Sequence, residues 1–382
     1  MNRVSETADF IIIGGGIAGA SAGYELCKKG RVVILEKESQ LAYHTTGRSS
    51  AIFQLGYNKG DVLLHILVKS SEDFLRHPPE GFAAHPLLTP RCLIHVATVD
   101  TQDTLDDLYR KLTDIDVKVD YIDGAEALRL LPVLASEYQG RALMEHGTAD
   151  IDVNGLHEGY LRAIKASGGD IVTGAEVTGL TRKDNQWQVT TSAGCYQAPV
   201  VINAAGAWVD QIAALAKISP IEIRPMRRTV IMVTPPEEIC LDDWPLVMDT
   251  AHKYYFKPDR GKILMTPGDE KYVAPCDVQP EELDIAYGAY YLERATNLKV
   301  DKIDRSWAGL RNKVTDGHPV VGFDPEQAGF FWLAGQGGFG IKTSPAMGRI
   351  VASLIEGAGL PQDMIDLGLT EEQISVRRIK KS

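Results

Sequence analysis

The sequence has few cysteines, and no two of them stand in a CxxC spacing. Its five cysteines are scattered singly along 382 residues. Disulfide frameworks and cysteine-ligated zinc sites need paired or clustered thiols, so we predict neither, and we expect no metal site. A flavoenzyme of the disulfide-reductase type is disfavoured for the same reason, because its chemistry needs a reactive cysteine pair.

Long apolar runs and an excess of positive charge are also missing. No apolar stretch approaches the ~20 residues that a transmembrane segment requires. The formal net charge is −11, and no cluster of basic residues is longer than the short run at 377–381. We therefore expect no nucleic-acid partner. The first predicted strand begins too early to leave room for a cleaved signal peptide, so a cytoplasmic location is expected, with peripheral contact to the inner membrane left open.

The most informative segment is a glycine-rich turn, GGGIAG at residues 14–19. The apolar run FIII at 10–13 precedes it and suits a strand buried on both faces. A helix and a second strand follow, and Glu36 ends that strand at about the 20-residue spacing expected for this motif. Strand, turn, helix, strand and acid together predict a site for an ADP-containing dinucleotide.

The three glycines of this turn have different predicted roles. Gly14 permits the tight turn, Gly16 lets the backbone approach a pyrophosphate, and Gly19 allows close helix packing. The helix N-terminus offers N–H groups to the phosphates. Glu36 would accept hydrogen bonds from the ribose, and an acid there disfavours the 2′-phosphate of NADP. FAD and NAD both remain open at this point.

Two further turns follow predicted buried strands. The run at 330–334 leads into GQGGFG at 335–340 and then a helix over about 343–354. The run at 200–203 leads into small residues, AAGA at 204–207. Three such turns favour a long ligand lying across the ends of one sheet.

Five segments together resemble the D-amino acid oxidase-like (DAO) family of FAD-dependent oxidoreductases, which includes sarcosine and glycine oxidases. They are GGGIAG at 14–19, HTTGRSS at 44–50, NAAGAW at 203–208, WAGLR at 307–311 and GQGGFGI at 335–341. The resemblance covers nearly the whole chain, and within the family the sequence is most similar to bacterial D-arginine dehydrogenases. It implies an α/β fold in which a Rossmann-type FAD-binding domain is interleaved with an α+β substrate domain built on an antiparallel sheet.

The length and the hydrophobic content of 44% allow two domains. We expect residues 1–56, 148–212 and 305–382 to form the FAD-binding domain, and residues 57–147 and 213–304 to form the substrate domain. Helical patterns are predicted at 61–76, 101–112, 154–166 and 281–296, and strands at 92–97, 229–233 and 254–257.

The resemblance implies oxidation of an amino acid. Cα would give a hydride to flavin N5, and the resulting imino acid would hydrolyse to a keto acid and ammonia. No cysteine lies near Arg311, where sarcosine oxidases tether their flavin, so we expect noncovalent FAD. The residues expected to contact FAD are Gly14, Gly16, Ile17, Ala18, Gly19, Glu36, Lys37, His44, Thr46, Arg48, Ser49, Ser50, Val177, Ala205, Gly206, Gly337, Gly338, Gly340, Ile341, Lys342 and Thr343.

Four residues match the family's substrate site. Arg311 in WAGLR would bind the α-carboxylate in a bidentate way. Arg227 matches a second family arginine, although Arg228 is the alternative because side chains alternate along a strand. Tyr57 and Tyr255 match tyrosines that hold the carboxylate or cover the substrate.

The sequence departs from the D-arginine enzymes where those bind a guanidinium. Leu93 stands in place of their acid, and Ile52 in place of a histidine. An unpaired buried cation is costly, so D-arginine should be a poor substrate and neutral or apolar D-amino acids should be preferred. Oxidation of an N-methyl or cyclic amino acid, of the sarcosine or hydroxyproline type, is the alternative, and a noncatalytic flavin-binding protein is another. The electron acceptor, whether oxygen, a quinone or a carrier protein, and the oligomeric state stay open.

Overall fold

The protein is described by a computed structural model over residues 6–380. Its first large sheet has six strands, of which five are parallel and the last is antiparallel. In spatial order the strands are Asp170–Val172, Val32–Leu35, Phe10–Ile13, Val200–Asn203, Phe330–Ala334 and Val320–Phe323. The predicted strands that precede the three turns, at 10–13, 200–203 and 330–334, are thus consecutive in one sheet.

Both faces of this sheet are covered, which explains why its strands are continuously apolar. Ile12 packs into a core formed with helices Ile17–Leu26, Val62–Arg76 and Gly340–Ile355. Its neighbour Ile11 packs into the core on the opposite face. That second face is covered by helix Val209–Leu215 and by a smaller sheet with strands Glu6–Thr7, Cys195–Ala198, Gln186–Thr191 and Val177–Lys183.

A second large sheet contains nine strands, paired antiparallel except where Leu246–Asp249 runs parallel to Leu93–Val96. In spatial order its strands are Lys271–Tyr272, Arg224–Val233, Lys262–Pro267, Tyr254–Asp259, Leu246–Asp249, Leu93–Val96, Ala142–Glu145 and Val119–Ile122, with Arg305–Lys313 pairing with Arg224–Val233. A third, short sheet consists of Ile52–Phe53, Ala149–Ile151 and Leu88–Pro90. Along the chain, these strands lie where the path passes from one large sheet to the other.

Helices cover most of one face of the nine-stranded sheet, and helix Asp103–Thr113 packs on part of the other. Ile231 packs into that core with helix Glu282–Ala295, whereas its neighbour Val230 belongs to the opposite face. The remaining α-helices are Tyr57–Gly60, Asp103–Thr113, Gly124–Leu130, Val153–Ala166, Gln362–Asp366 and Glu371–Ile374. Short 3₁₀ turns lie at Val99–Thr101, Ser136–Tyr138, Gly206–Trp208 and Val376–Arg378. The predicted fold, a Rossmann-type layer with an α+β part on a mostly antiparallel sheet, is confirmed.

The predicted domain boundaries stay a prediction, and two elements differ from that division. Strand Arg305–Lys313, assigned to the FAD-binding part, pairs along its length with Arg224–Val233 of the nine-stranded sheet. Helix Val62–Arg76, assigned to the substrate part, packs on helix Gly340–Ile355 beside the six-stranded sheet. Apolar periodicity indicates that an element has a buried face, but it carries no information on which layer buries that face. Within residues 6–380, no helix is long and apolar enough to cross a membrane.

Candidate active site

A cavity of about 430 Å³ lies between the two large sheets and is lined by residues of both. At one end it is bordered by the carboxyl ends of four strands of the six-stranded sheet, at Ile13, Leu35, Ala204 and Leu333. Ligands of open parallel sheets bind at this edge. At the other end it reaches the nine-stranded sheet on the face opposite helix Glu282–Ala295, through residues that include Val230.

The glycine turn at 14–19 is as tightly packed as its predicted roles require. Gly14 has φ 110°, and a Cβ there would lie 2.5 Å from the carbonyl oxygen of Ala204. At Gly19 a Cβ would lie 2.0 Å from the carbonyl oxygen of Gly14. Gly16, where helix Ile17–Leu26 begins, has no side chain to cap it, and the Ile17 N–H donates to the Thr46 hydroxyl at 3.0 Å. The turn therefore presents backbone to the cavity, and Gly19 supports it from behind rather than lining it.

Glu36 borders the cavity and also holds the turn. Its Oε2 accepts a hydrogen bond of 2.8 Å from the Gly15 N–H, and its Oε1 accepts one of 3.0 Å from the Glu38 N–H. A carboxylate can accept about four hydrogen bonds. Glu36 thus retains acceptor capacity for the hydroxyls of a ribose.

The loop after Glu36 encloses the middle of the cavity with aromatic and basic groups. Lys37 Nζ lies 3.4 Å from the Trp208 ring centroid, and the His44 ring lies 4.6 Å from that of Trp208. His44 also pairs with Glu38 at 2.8 Å. Partial burial alone would raise the pKa of Glu38, but hydrogen bonds from His44 and Lys37 bring it below its ordinary value.

Arg48 borders the cavity, but its guanidinium is bound to protein. It donates to the carbonyl oxygens of Val278 and Ala308, at 2.9 and 3.1 Å, and pairs with Asp277. Its own carbonyl oxygen accepts from the indole N–H of Trp307 at 3.0 Å. Arg48 therefore fixes the loop that carries Thr46, Ser49 and Ser50 against the edge of the nine-stranded sheet.

A second helix N-terminus faces the same cavity. Helix Gly340–Ile355 begins after Phe339 without a side-chain cap, and Gly340, Ile341 and Lys342 border the cavity. The first N–H groups of a helix have no intrahelical partner. Two buried polar atoms beside it, Asn312 Oδ1 and Gln336 Nε2, also have no partner among the described residues.

These features fit FAD. Two helix N-termini whose N-cap residues provide no side-chain hydrogen bond, a turn whose glycines leave backbone open to the cavity, and an acid with spare acceptor capacity suit phosphates and a ribose. The unpartnered amide atoms of Asn312 and Gln336 suit a polar ring system. None of the residues bordering the cavity is a cysteine.

Most of the residues predicted for FAD border this cavity. These are Gly14, Gly16, Ile17, Ala18, Glu36, Lys37, His44, Thr46, Arg48, Ser49, Ser50, Val177, Ala205, Gly206, Gly337, Gly338, Gly340, Ile341 and Lys342. Thr343 does not: it is fully buried, and its hydroxyl donates to the Phe339 carbonyl oxygen at 3.0 Å. The prediction for Thr343 is corrected, because on a helix it points about 100° away from Lys342 and so into the core.

Two arginines converge at the far end of the cavity. Arg228 and Arg311 border it, and both approach Glu270, with N–O distances of 3.1 and 3.7 Å. Glu270 also pairs with Lys313 at 2.7 Å. Burial, followed by repulsion from Arg311, lowers the pKa of Arg228. Asp269 also attracts both arginines. Two carboxylates beside three cations leave net positive charge, so an anionic group is favoured here.

Arg227 is not in this group. Its guanidinium pairs with Glu281 and with Asp284, the latter at 2.7 Å, on the helix-covered face of the nine-stranded sheet. The prediction for Arg227 is corrected in favour of Arg228, since neighbouring residues of a strand point to opposite faces. Local sequence could not choose between two adjacent arginines.

Tyr57 and Tyr255 both border the cavity near Arg311. A Cβ on Gly338 would lie 2.5 Å from the Tyr57 hydroxyl and 2.9 Å from Arg311 Nε, so these groups meet above that glycine. Tyr255 shares a hydrogen bond of 2.8 Å with Ser50.

Tyr57 is held by an unusual turn. The next two residues, Asn58 and Lys59, have φ 54° and 59°, and Gly60 has φ 78°. Left-handed conformations in non-glycine residues are costly and cluster at functional sites. This turn was not predicted, although Asn58 and Gly60 are residue types that favour left-handed conformations.

The wall beside Tyr255 is apolar. Ile52, Leu93 and Leu246 form a small buried cluster, against which Met248 and Tyr255 pack. Ile52, Met248 and Tyr255 border the cavity, whereas Leu93 lies behind them, fully buried.

A buried polar cluster beneath the cavity was not predicted. Glu145 accepts hydrogen bonds from Gln54 at 3.0 Å and from the Gly56 N–H at 2.9 Å, and it pairs with His95 at 2.9 Å. Although complete burial alone would raise the pKa of Glu145, these contacts, led by the one from His95, bring it below its ordinary value. No local motif marks these residues, because strand pairing brings them together.

His157 is a second unpredicted residue. Its Nε2 donates to the Gly15 carbonyl oxygen at 2.9 Å and so fixes the glycine turn from helix Val153–Ala166. Burial lowers the pKa of His157, which keeps the ring neutral. The only sequence signal would have been a histidine on the apolar side of a predicted helix.

Comparisons with known proteins agree with this arrangement. The model of the DAO family, described as FAD dependent oxidoreductase, matches residues 9–354. Glycine oxidase of Geobacillus kaustophilus (strain HTA426) is 28% identical over 383 residues, covering 95% of this chain and 96% of that protein. Monomeric sarcosine oxidase of Bacillus sp. (strain B-0618) is 22% identical over 391 residues, covering 98% and 96%. The crystal structure of L-proline dehydrogenase from P. horikoshii has the same fold, with a TM-score of 0.85 at 22% identity over 99% of both chains.

Proposed function

The chain belongs to the DAO family of FAD-dependent oxidoreductases, and from that premise we propose that it oxidatively deaminates a D-amino acid with a neutral or apolar side chain. The hydride on Cα would pass to flavin N5, and the imino acid would hydrolyse to a keto acid and ammonia. The observation that carries the proposal is the convergence of Arg228 and Arg311 beside an apolar wall in the cavity that fits FAD. The preference for D-amino acids follows the predicted likeness to D-arginine dehydrogenases, which stays a prediction.

The chain's own residues would hold FAD noncovalently along the cavity. The glycine turn would bind the pyrophosphate and Glu36 the ribose, as the sequence predicts. The first turn of helix Gly340–Ile355 would lie against the ring system, because uncapped N–H groups and the helix dipole favour negative charge. Bound FAD supplies the two-electron acceptor for the reaction.

Arg228 and Arg311 would orient the substrate through its carboxylate. The Nε–H of Arg228 has no partner among the described residues, so it remains free to donate. A carboxylate would also relieve the repulsion between the two guanidinium groups, since Glu270 is shared with Lys313. Charged hydrogen bonds contribute about 1.5–3 kcal/mol each, which is enough to fix Cα in one place.

The side chain of the substrate would lie against Ile52, Met248 and Tyr255. These groups cannot compensate a buried cation, and Leu93 behind them has no charge to offer. Leucine, methionine or phenylalanine side chains would bury apolar surface there, at about 25 cal/mol per Å². We therefore expect D-arginine to be a poor substrate.

A second candidate is oxidation of an N-methyl or cyclic amino acid. It is favoured by one relative, named monomeric sarcosine oxidase, and by one structural neighbour, named L-proline dehydrogenase. The same carboxylate clamp would serve both reactions, because the substrates differ at nitrogen. Release of an aldehyde from an N-methyl substrate, instead of ammonia, would identify this reaction.

The deciding experiment is anaerobic mixing of the purified flavoprotein with matched amines while flavin absorbance is followed. The set contains D- and L-leucine, D- and L-arginine, glycine, sarcosine and L-proline. Bleaching by D-leucine with little by D-arginine supports the proposal. Faster bleaching by D-arginine overturns the side-chain preference, and bleaching by sarcosine or proline alone favours the second candidate. Failure of every amine to reduce intact flavin would favour a noncatalytic flavoprotein.

A further inference from the structure

Lys342 is a buried lysine in the wall of the cavity. It lies in the first turn of helix Gly340–Ile355, its side chain is almost fully buried, and it borders the cavity. Its Nζ lies 4.0 Å from the centroid of the Tyr57 ring. Among the described residues, no carboxylate lies within ion-pairing distance of this Nζ. Burial of an unpaired ammonium is costly, so the neutral amine is favoured.

Two charged groups act on Lys342 in opposite directions. Glu145 attracts the ammonium and Arg311 repels it. The attraction is limited, because the Glu145 carboxylate already interacts with His95, Gln54 and the Gly56 N–H. Burial is the largest cause, and together these effects lower the pKa of Lys342 to about 7.

The other polar groups packed on this helix lie further along it. Tyr160 contacts the hydroxyl of Ser344 at 3.2 Å. Ser71 accepts from the N–H of Ala346 at 3.1 Å. From helix Ile17–Leu26, the stem of Glu25 approaches Gly348. The titratable groups that act on Lys342 itself are therefore Glu145, Arg311 and Tyr57.

Tyr57 connects Lys342 with the predicted carboxylate clamp. Its ring lies beneath Lys342 Nζ, and its hydroxyl meets Arg311 Nε above Gly338. The amino group of an α-amino acid is attached to the carbon that bears the carboxylate. A substrate held by Arg311 would thus place its nitrogen within the same part of the cavity as Lys342.

We propose that neutral Lys342 accepts a proton from the ammonium group of the bound amino acid. This inference rests on the proposed function. The N–H bond of the substrate breaks, its electron pair stays on the substrate nitrogen, and the proton binds the lone pair of Lys342 Nζ. The resulting lysine ammonium is stabilised by the Tyr57 ring and by Glu145. The lone pair on the substrate nitrogen then assists departure of the hydride from Cα.

The kinetic test measures the rate of flavin bleaching by saturating D-leucine, mixed anaerobically between pH 6 and 10. In the native protein the rate should rise through about pH 7, as Lys342 loses its proton. Lys342→Met keeps the apolar stem but removes the base, so the rise should shift to higher pH and the rate at pH 7 should fall about 100-fold. Lys69→Met, a surface lysine paired with Glu72, is the control and should behave as the native protein.

Chemical rescue separates a proton acceptor from a structural lysine. In Lys342→Ala, added ethylamine should restore the rate in proportion to its neutral form, while ethylamine alone should not bleach the flavin. An unchanged pH profile in Lys342→Met overturns the inference. A loss that is equal at every pH and is not rescued overturns it as well. If Lys342→Met binds less FAD, Lys342→Gln replaces it.

A readout without turnover is the NMR titration of lysine Cε in protein carrying ¹³C-labelled lysine. The resonance that disappears in Lys342→Met should titrate near pH 7, whereas ordinary lysines titrate at about pH 10.4. Titration near 10 overturns the inference even if the protein is active. If no amine bleaches the native flavin, the proposed function fails, and this titration still decides the charge of Lys342.

Discussion

Arg227 and Arg228 are adjacent in one strand, yet their guanidinium groups lie on opposite faces of the nine-stranded sheet. Arg227 pairs with Glu281 and Asp284 of the helix-covered face, whereas Arg228 borders the cavity and pairs with Glu270. The pair therefore offers a matched comparison between an arginine in the candidate site and one that only stabilises the fold.

Arg228→Met should weaken substrate binding while leaving the fold intact. Loss of charged hydrogen bonds worth about 1.5–3 kcal/mol should raise the Kd for D-leucine about 10- to 100-fold. Arg227→Met should lower the unfolding temperature, because Asp284 loses its buried partner, with little change in Kd. Binding titrations and thermal melts of both variants check this. Equal effects of the two substitutions on Kd would contradict the assignment of Arg228.

Gly338→Ala should disrupt the carboxylate clamp. The added methyl group would lie 2.5 Å from the Tyr57 hydroxyl and 2.9 Å from Arg311 Nε, so both side chains must move. We expect bleaching by D-leucine to slow by about 100-fold, as small misplacements in active sites do. Gly194→Ala is the control, since the nearest atom there lies 3.6 Å from the new Cβ. Native rates in Gly338→Ala would argue against substrate binding at this place.

Glu36→Gln should weaken FAD binding. The substitution removes the charge that would accept hydrogen bonds from the ribose and that holds the Gly15 N–H at 2.8 Å. The FAD Kd should rise about tenfold or more, measured by fluorescence titration of the apoprotein. Glu25→Gln, which loses only an ion pair with Lys28, should retain native affinity. An unchanged Kd in Glu36→Gln would place the ribose elsewhere.

Stability should depend on pH through His318 and Asp61, which are 3.0 Å apart. The hydrogen bond that His318 donates to Asp61 raises the pKa of His318 above its ordinary value. Because the folded pKa of His318 is the higher one, the pair stabilises the protein fully below about pH 6.5, as long as Asp61 is ionised, and that stability is lost as pH rises through the folded pKa. Urea midpoints should therefore fall across this window. Asp61→Asn, which can still cap helix Val62–Arg76, should flatten the change; an unaltered slope would exclude the pair as its source.

Local sequence was sufficient for the parts of the site that a continuous segment builds. The turn at 14–19, Glu36 after the second strand, and the glycines before helix Gly340–Ile355 were all predicted. Of the residues named for FAD, only Gly19 and Thr343 do not border the cavity. Steric limits on a glycine turn and the N–H groups of a helix N-terminus act within a few residues. Both features can therefore be predicted from the local sequence pattern.

Tertiary structure alone decided the parts that depend on contacts between distant segments. The choice of Arg228 over Arg227 followed from which face of the strand meets the cavity. The pairing of strand Arg305–Lys313 with Arg224–Val233 brought Arg311 to the same place. The electrostatic environment of Lys342 is set by Tyr57, Arg311 and the buried Glu145, which belong to three other elements. Burial and electrostatic fields arise from packing, so residue order along the chain does not specify them locally.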